Sequence, residues 1–491
     1  MKIKTCLLHV FCILSFPVAC LAGKEGLSVT DPPTQAANGF WGAFSVPPAT
    51  RAGSTTLTNQ RHSALANRAE ASAIKAEEKQ HPVPIVWQAA VQLAVSQHPA
   101  ISSSLAMLGS SEFALNAARA GYLPAVRAGV TSGRQQAQAS NGQIATLGLS
   151  QMLYDFGKTG SAVDIASARQ LRQQAEVLGQ IDAIIQQTAL SLNERWRYTQ
   201  LIENAKEQVR LLRGILQLTQ LRAEAGASTR VDPVQASARV EAALAQQFEL
   251  ETKLQQQHAH LQSLIGQSIN VDRLQPPPDL SASVRQASAL TDLSQNTSLL
   301  MAQADAAAAF AELRSYKAQR YPTLSLEANT NKYVGDIASK QSRSQFQNIY
   351  LSLNSTLYQG GALLSQESAS AKALDASRAT LASIRRDVEW QQQSYVHSIK
   401  GIEKNIQVLQ ERMKTITETR SLYREQYLAL GNRNALDLLN AEQEISRAQQ
   451  DLINAKCDLW ASSMNYLVIT GMARKVFESN NQSVQEFSLS Q

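Results

Sequence analysis

His258 and His260 are the only histidines close enough in sequence to share a metal ion. Two residues apart on a helix they point to different faces, so they read as solvated helix surface, and no metal or cofactor is expected. Cys457 lies in the helical run Asn454-Ala455-Lys456-Cys457-Asp458-Leu459, where a buried, inert thiol is the expected state. There is no phosphate-cradling Gly-Lys-Ser/Thr loop, no Cys-x-x-Cys pair and no nucleophile elbow, so the chain does not read as an enzyme. Trp41, Trp87, Trp196, Trp390 and Trp460 are spread along the chain, which suits packing or interfacial anchoring better than a cofactor box.

The remaining candidates are turn residues. Gly226 and Gly431 are placed as helix C-caps. Asp232-Pro233 and Asp437 follow them and are expected to start returning helices, with the Asp at the N-cap and the Pro at the first helical position. These turns recur at a fixed spacing: Gly226 to Gly431, Asp232 to Asp437 and Gly266 to Gly471 share one offset. A constant offset over three landmarks marks an internal duplication.

The elements that carry these turns fall into an ordered series. Lys2 and Lys4 precede an apolar stretch ending in Ala19-Cys20-Leu21-Ala22, so residues 1–22 read as a secretory signal. A lipoprotein signal acylated at Cys20 competes, although Pro17 stands where an aliphatic residue is wanted. Residues 23–84 form a Pro-, Ala- and Thr-rich flexible arm. Repeat 1 spans 85–274, with a helix, a β-hairpin over 124–154, a long helix over 157–224 and a helix over 232–266. A Pro-rich linker spans 275–294, and its Gln275-Pro276-Pro277-Pro278-Asp279 stretch is expected to be stiff and extended. Repeat 2 spans 295–475, with a helix, a β-hairpin over 322–358, a long helix over 360–430 and a helix over 435–470. Residues 476–491 form a tail.

Within the hairpins, Val126, Ala128 and Val130 alternate with polar or small residues, as do Leu147 and Leu149, Leu324 and Leu326, and Ile349, Leu351 and Leu353. Period-two patterning gives one apolar and one polar face. Strands of about 9–11 residues are long enough to cross an outer membrane when tilted. Residues 134–143 and 332–348 are polar and are expected to be outward loops. Four strands cannot close a membrane barrel, which needs about eight, so spanning strands require several chains to share one barrel. The competing reading is a pair of soluble hairpins packed on helices.

The long helices contain no proline. About 70 residues at 1.5 Å each give rods of about 100 Å. Tyr395, Ile399, Ile402, Ile406, Leu409, Met413 and Ile416 step by four and three, a heptad seam for coiled-coil packing.

Leu153-Tyr154-Asp155-Phe156-Gly157-Lys158, its counterpart Leu357-Tyr358-Gln359-Gly360-Gly361, and Gly431-Asn432-Arg433-Asn434-Ala435-Leu436-Asp437-Leu438-Leu439-Asn440 together resemble the TolC family of trimeric outer-membrane channel proteins. The resemblance covers about residues 85–475 and implies a mainly α fold with a small β part. In that fold, long coiled-coil hairpins and four transmembrane strands per chain assemble as a twelve-stranded barrel on a helical periplasmic tunnel. It also implies a homotrimer working with a periplasmic adaptor (membrane fusion) protein and an inner-membrane ABC or RND transporter. By the same resemblance Asp155, Phe156, Gly157, Gly360 and Gly361 form the strand-to-helix junctions. Gly431 lies at the periplasmic turn, Arg433 ties neighbouring helices, and Asp437 faces the entrance. Asn440 stands where many members carry a second acid, leaving one carboxylate ring. Cargo is either protein, in type I secretion, or small toxic compounds, in efflux. Ala94-Val95-Ser96-Gln97-His98-Pro99 is similar to the opening helix of secretion members.

Composition narrows the classes further. The chain has 491 residues with 18% charged and 6% aromatic side chains, below the ~25% charge of ordinary globular domains. Outside the N-terminus no apolar run approaches the ~20 residues of a membrane helix, which excludes a multi-helix transporter. The formal charge of +6 falls by two when Lys2 and Lys4 leave with the signal. Basic residues are interleaved with acids and lack stacking aromatics, so no nucleic-acid partner is expected. Loss of the signal leaves Cys457 alone, so there is no internal disulfide.

Overall fold

The computed structural model describes residues 87–135, 140–266, 275–290, 293–335, 344–430 and 433–477. All lie in the unit spanning His81–Gln491. The signal segment, the arm, Cys20, Trp41 and Gly431 lie outside the described residues.

The order begins with α1 (Trp87–Gln97), α2 (Pro99–Arg119), β1 (Ala125–Gln135), β2 (Ser140–Tyr154), α3 (Lys158–Glu224) and α4 (Val231–Ile265). After α5 (Ser281–Leu290) the series recurs as α6 (Thr297–Gln319), β3 (Thr323–Gly335), β4 (Gln345–Asn354), α7 (Ala362–Glu425) and α8 (Ala435–Ile469), closed by α9 (Ala473–Val476). The chain is mainly α with one small sheet. Pro99 divides α1 from α2, and His98 caps the second helix by accepting the Ala100 N–H on Nδ1 at 3.2 Å. Asn296 caps α6 in the same manner, accepting from Leu299 N, while its amide donates to the Ile469 carbonyl at 2.9 Å.

α3 packs along α4 and α6, and α7 packs along α8. On α7 the side chains at Ile399 and Ile416 are buried, and Ile402, Ile406, Leu409 and Met413 are half-buried between exposed neighbours. That is the four-three seam of a coiled coil. The largest core joins α1, α3, α4 and α8 around Val91, Ile181, Ile185, Leu192, Met464 and Leu467. Trp87 and Trp460 meet in it with ring centroids 4.8 Å apart. Each indole N–H leaves the core to bond a carbonyl of the proline strap, Trp87 to Gln275 at 2.9 Å and Trp460 to Pro278 at 3.0 Å.

Two expectations about the connections are corrected. The 275–294 linker is not a plain connection: after residues 275–279, which carry no helix, it contains one. Asp279 then accepts bonds from the Ser281 N–H and hydroxyl, and α5 follows, burying Ala287 in the core. The chain also does not become a tail at residue 476. Phe477 is 1% exposed and its carbonyl accepts from Gln92, so α9 and Phe477 belong to the core.

The four strands form a single antiparallel sheet in the order β1-β2-β3-β4. The hairpins pair with each other through β2 and β3, and the sheet's principal neighbour beyond itself is the 3-10 turn Ala120–Tyr122. Hairpins packed on helices are therefore not what forms. The strands run to 15 residues in β2 and 13 in β3, longer than the expected 9–11. The polar segments 140–143 and 332–335 continue the ladder instead of looping out, because backbone pairing is indifferent to side-chain polarity on a solvated face.

Candidate functional site: hairpin tips and strand sheet

Cross-strand partners share a face, so register defines two surfaces. One carries the row Val126–Leu149–Ala328–Ile349, with Leu326 opposite Leu351 and Leu324 opposite Leu353. The other carries Arg127–Gly148–Asn329–Asn348 and Ser150–Glu327–Tyr350. On β4 the apolar side chains Ile349 and Leu353 are 69% and 66% exposed, whereas Asn348 and Ser352 on the polar face are half-buried. Both edge strands, β1 and β4, keep one unpaired side.

Where the strands become helices, both repeats use one backbone solution. Phe156 and Gly157 have φ of 58° and 92°, and Gly360 and Gly361 have 59° and 80°. Two consecutive left-handed residues turn the chain from strand into helix, a conformation that favours glycine. Phe156 is the one non-glycine with positive φ among the described residues. Its ring stacks on Tyr321 at 5.2 Å and meets Tyr154 edge-on at 4.7 Å. Asp155 accepts from Gly157 N at 3.0 Å and Thr159 N at 2.6 Å. Burial works against its charged form, but the Thr159 and Gly157 bonds outweigh it and hold the carboxyl below the usual carboxylate range.

At the far end of the rods, α3 stops at Ala225 and Gly226 follows with φ of 73°. The Ala227 N–H returns to the Arg222 carbonyl at 2.8 Å, a Schellman closure. The aspartates do not occupy N-caps. Arg230 is the N-cap of α4, Asp232 lies inside the first turn accepting from Ser228, and Pro233 follows it in that turn. The helix starts earlier than expected because Asp232 N already bonds the Thr229 carbonyl. In α8 the N-cap is Asn434, and Asp437 is the third helical residue, where a carboxylate complements the helix dipole.

Arg433 bridges the second hairpin. It donates to Gln426 Oε1 at 2.9 Å and Asp437 Oδ2 at 3.2 Å, with its guanidinium 4.4 Å over the Tyr423 ring. Asn440 accepts from Arg239 at 3.4 Å, and Arg239 also donates to Gln443 at 2.7 Å, so Asn440 faces α4. Sequence reasoning missed one of the bonds that join the two hairpins. Arg222 donates to the Tyr427 carbonyl at 2.8 Å with its guanidinium 4.5 Å over that ring. There α7 widens into a π turn, Gln426–Leu430, and presents the carbonyl sideways. The repeat offset was the available signal, since Arg222 and Tyr427 are separated by the same interval as Gly226 and Gly431.

Of the other candidates, Cys457 is buried, and burial pushes its thiol up to about 11, far from reactivity. His258 bonds Gln262 at 3.1 Å, and His260 lies 3.4 Å from the Ser191 hydroxyl.

The model of the outer membrane efflux protein family matches residues 90–267 and 291–467. The chain belongs to the outer membrane efflux protein family. This is a family of outer-membrane transport proteins rather than enzymes, and it places the chain in the outer membrane. Its curated relative, the alkaline protease secretion protein AprF of Pseudomonas aeruginosa, is 26% identical over 331 residues, covering 64% of this chain and 66% of AprF. The chain thus spans just under two thirds of that relative's length. Among solved structures, this efflux-family chain superposes on the outer membrane protein VceC of Vibrio cholerae with a TM-score of 0.70 at 18% identity, over 78% of this chain and 96% of VceC. It superposes on the CmeC outer membrane channel of Campylobacter jejuni with a TM-score of 0.68 at 14% identity, over 84% and 93%. These likenesses establish a shared fold.

Proposed function

We propose that three copies of this chain close one twelve-stranded barrel and that their helical hairpins form a tunnel below it, a passive exit duct for cargo. The observation that carries this reading is the sheet itself, with two open edges, one apolar face exposed at Ile349 and Leu353, and one polar face. Four strands alternating in direction bring β4 of one copy antiparallel to β1 of the next, so closure satisfies both edges. The apolar rows then face lipid, and the polar rows face a lumen.

At the opposite end, Asp437 is the acid of the entrance and Arg433 the tether that holds its hairpin closed. Three converging carboxylates in a narrow opening attract cations and repel one another. Asn440, engaged with Arg239, adds no second ring. With no nucleotide-binding loop in the chain, the driving energy comes from an inner-membrane transporter, coupled through a periplasmic adaptor that grips the hairpin tips. Protein is the favoured cargo, on the strength of the similarity to a protease secretion protein.

Membrane fractionation and gel electrophoresis test the assembly. An outer-membrane, heat-dissociable trimer is expected, and a soluble monomer overturns the duct. The proteins of the culture medium, compared with and without the chain, test the cargo. An unchanged medium with increased sensitivity to toxic small molecules would favour efflux instead.

A further inference from the structure

The polar face of the sheet is nearly devoid of charge. Among the described residues of the four strands it carries one cation, Arg127, and one anion, Glu327; Lys332 shares the opposite face with Ala145 and Gln345. The two charges lie on neighbouring rows. Arg127 is opposite Gly148 and Asn329 in the ladder, and Glu327 is opposite Ser150 and Tyr350. Both line one hollow of about 290 Å³, together with Ser150 and Asn329.

The two groups are held differently. Tyr350 donates its hydroxyl to Glu327 at 2.6 Å, and Asn329 lies 3.5 Å from that hydroxyl, so the carboxylate is fixed against the wall. The Arg127 side chain makes no hydrogen bond or ion pair with the described residues, and Arg127 is exposed on edge strand β1. Gly148 keeps the space beside it open. A methyl group there would meet the Asn329 side-chain oxygen at 2.7 Å.

We propose that Arg127 and Glu327 form a belt of opposite charges on the inner wall of the barrel and set the charge preference of its membrane-crossing part, Arg127 acting as the free cation. This rests on the trimeric duct described above. Closure places three copies of each charge at nearly one level of a lumen otherwise lined by uncharged residues, Ser, Thr, Asn and Gly together with Ile144, Tyr333, Phe346 and Tyr350. Fixed charges on a pore wall act strongly because low-dielectric surroundings screen them little. The belt is separate from Asp437, which lies at the other end of helices about 100 Å long.

The test uses the full-length trimer in planar bilayers, with reversal potentials measured across a potassium chloride gradient. Arg127→Gln should raise the cation-to-anion permeability ratio about twofold at ~0.1 M salt, where the screening length is about 10 Å, and the difference should shrink at ~1 M. Glu327→Gln should lower the ratio, and Arg127→Lys should leave it unchanged. Equal ratios for all four proteins, each confirmed as a heat-dissociable trimer, overturn the belt. A shift in Arg127→Lys equal to that in Arg127→Gln also overturns it, because the charge is then not the cause. A trimer that stays without conductance even as Arg433→Ala overturns the duct, and the belt with it; a conducting trimer with unshifted variants overturns the belt alone.

Discussion

Phe156 and Gly360 occupy equivalent points of the two repeats with φ of 58° and 59°, so one half of the chain forces a bulky residue into the conformation that the other half gives to glycine. The Phe156 ring recovers part of that cost against Tyr321 and Tyr154. Phe156→Ala keeps the backbone strain and loses the ring pairs, each contributing about 0.5–1.5 kcal/mol, and should lower the temperature at which the trimer dissociates. Gly360→Ala meets no neighbouring atom but acquires left-handed strain, costing about 1–2 kcal/mol. An unchanged dissociation temperature for Gly360→Ala would mean that the junction adjusts freely.

Asp182 gives a prediction in pH. It is 4% exposed on α3, with Arg474 as its ion partner at 3.5 Å, and Arg474 also donates to the Gln295 carbonyl at 3.1 Å. Burial pushes the Asp182 carboxyl from 3.8 up to about 6, against the pull of Arg474. A carboxyl that binds its proton more tightly folded than unfolded favours the folded state in acid. The contribution is complete below about pH 4 and is lost as pH rises through about 6. The protein should therefore gain heat resistance from Asp182 between about pH 7 and pH 5, and Asp182→Asn should remove that gain. Arg474→Met should cost about 3–5 kcal/mol at neutral pH, because it leaves a buried carboxylate without its partner, and less in acid.

The two sheet faces should respond oppositely to a new charge. Leu351→Lys places an ammonium on the apolar face and should cost about 2–4 kcal/mol per chain if it lies near the bilayer midplane. Asn348→Lys on the polar face should leave trimer yield unchanged. Equal yields for the two variants in outer-membrane fractions would contradict the orientation of the sheet.

At the hairpin tips, Asp437→Asn should reduce cation selectivity, and Arg433→Ala should raise conductance by freeing α8 from Gln426 and Tyr423. Arg222→Ala should do the same by separating the hairpins. The measurement is single-channel recording, and a Arg222→Ala trace indistinguishable from wild type would remove the Arg222–Tyr427 bond from the closed state.

The proline strap offers a stability test in the core. Trp87→Phe and Trp460→Phe each delete one bond to a strap carbonyl while keeping most of the ring packing, and each should cost about 1 kcal/mol. Trp87→Ala should cost about 3–5 kcal/mol. Thermal unfolding followed by near-UV circular dichroism, where the tilted indole pair contributes, reads both.

Much of this fold was legible because its signals are periodic. The four-three steps from Tyr395 to Ile416 and the alternation around Leu351 depend only on local spacing, and the common offset of Gly226, Asp232 and Gly266 to their counterparts exposed the duplication. Three kinds of feature were not legible. The Trp87–Trp460 pair and the Asp182–Arg474 bridge join residues far apart in the chain, and no local pattern announces such contacts. The positions of Asp232 and Asp437 within the first turn depended on which backbone carbonyl closed first, a choice among neighbouring residues of similar propensity. Arg222 and Tyr427 lay in plain view of the repeat offset, but an arginine paired with a tyrosine across a duplication has no symmetric signature.

The unpaired sides of β1 and β4 also bear on how the protein matures. A protomer that has folded its rods but found no neighbours carries two templates for foreign strands, and any extended peptide in reach competes for them. Maturation is therefore a race between copies of one chain and everything else nearby. Its outcome depends on local protomer supply, so secreting too few copies at once should be as damaging as weakening the sheet.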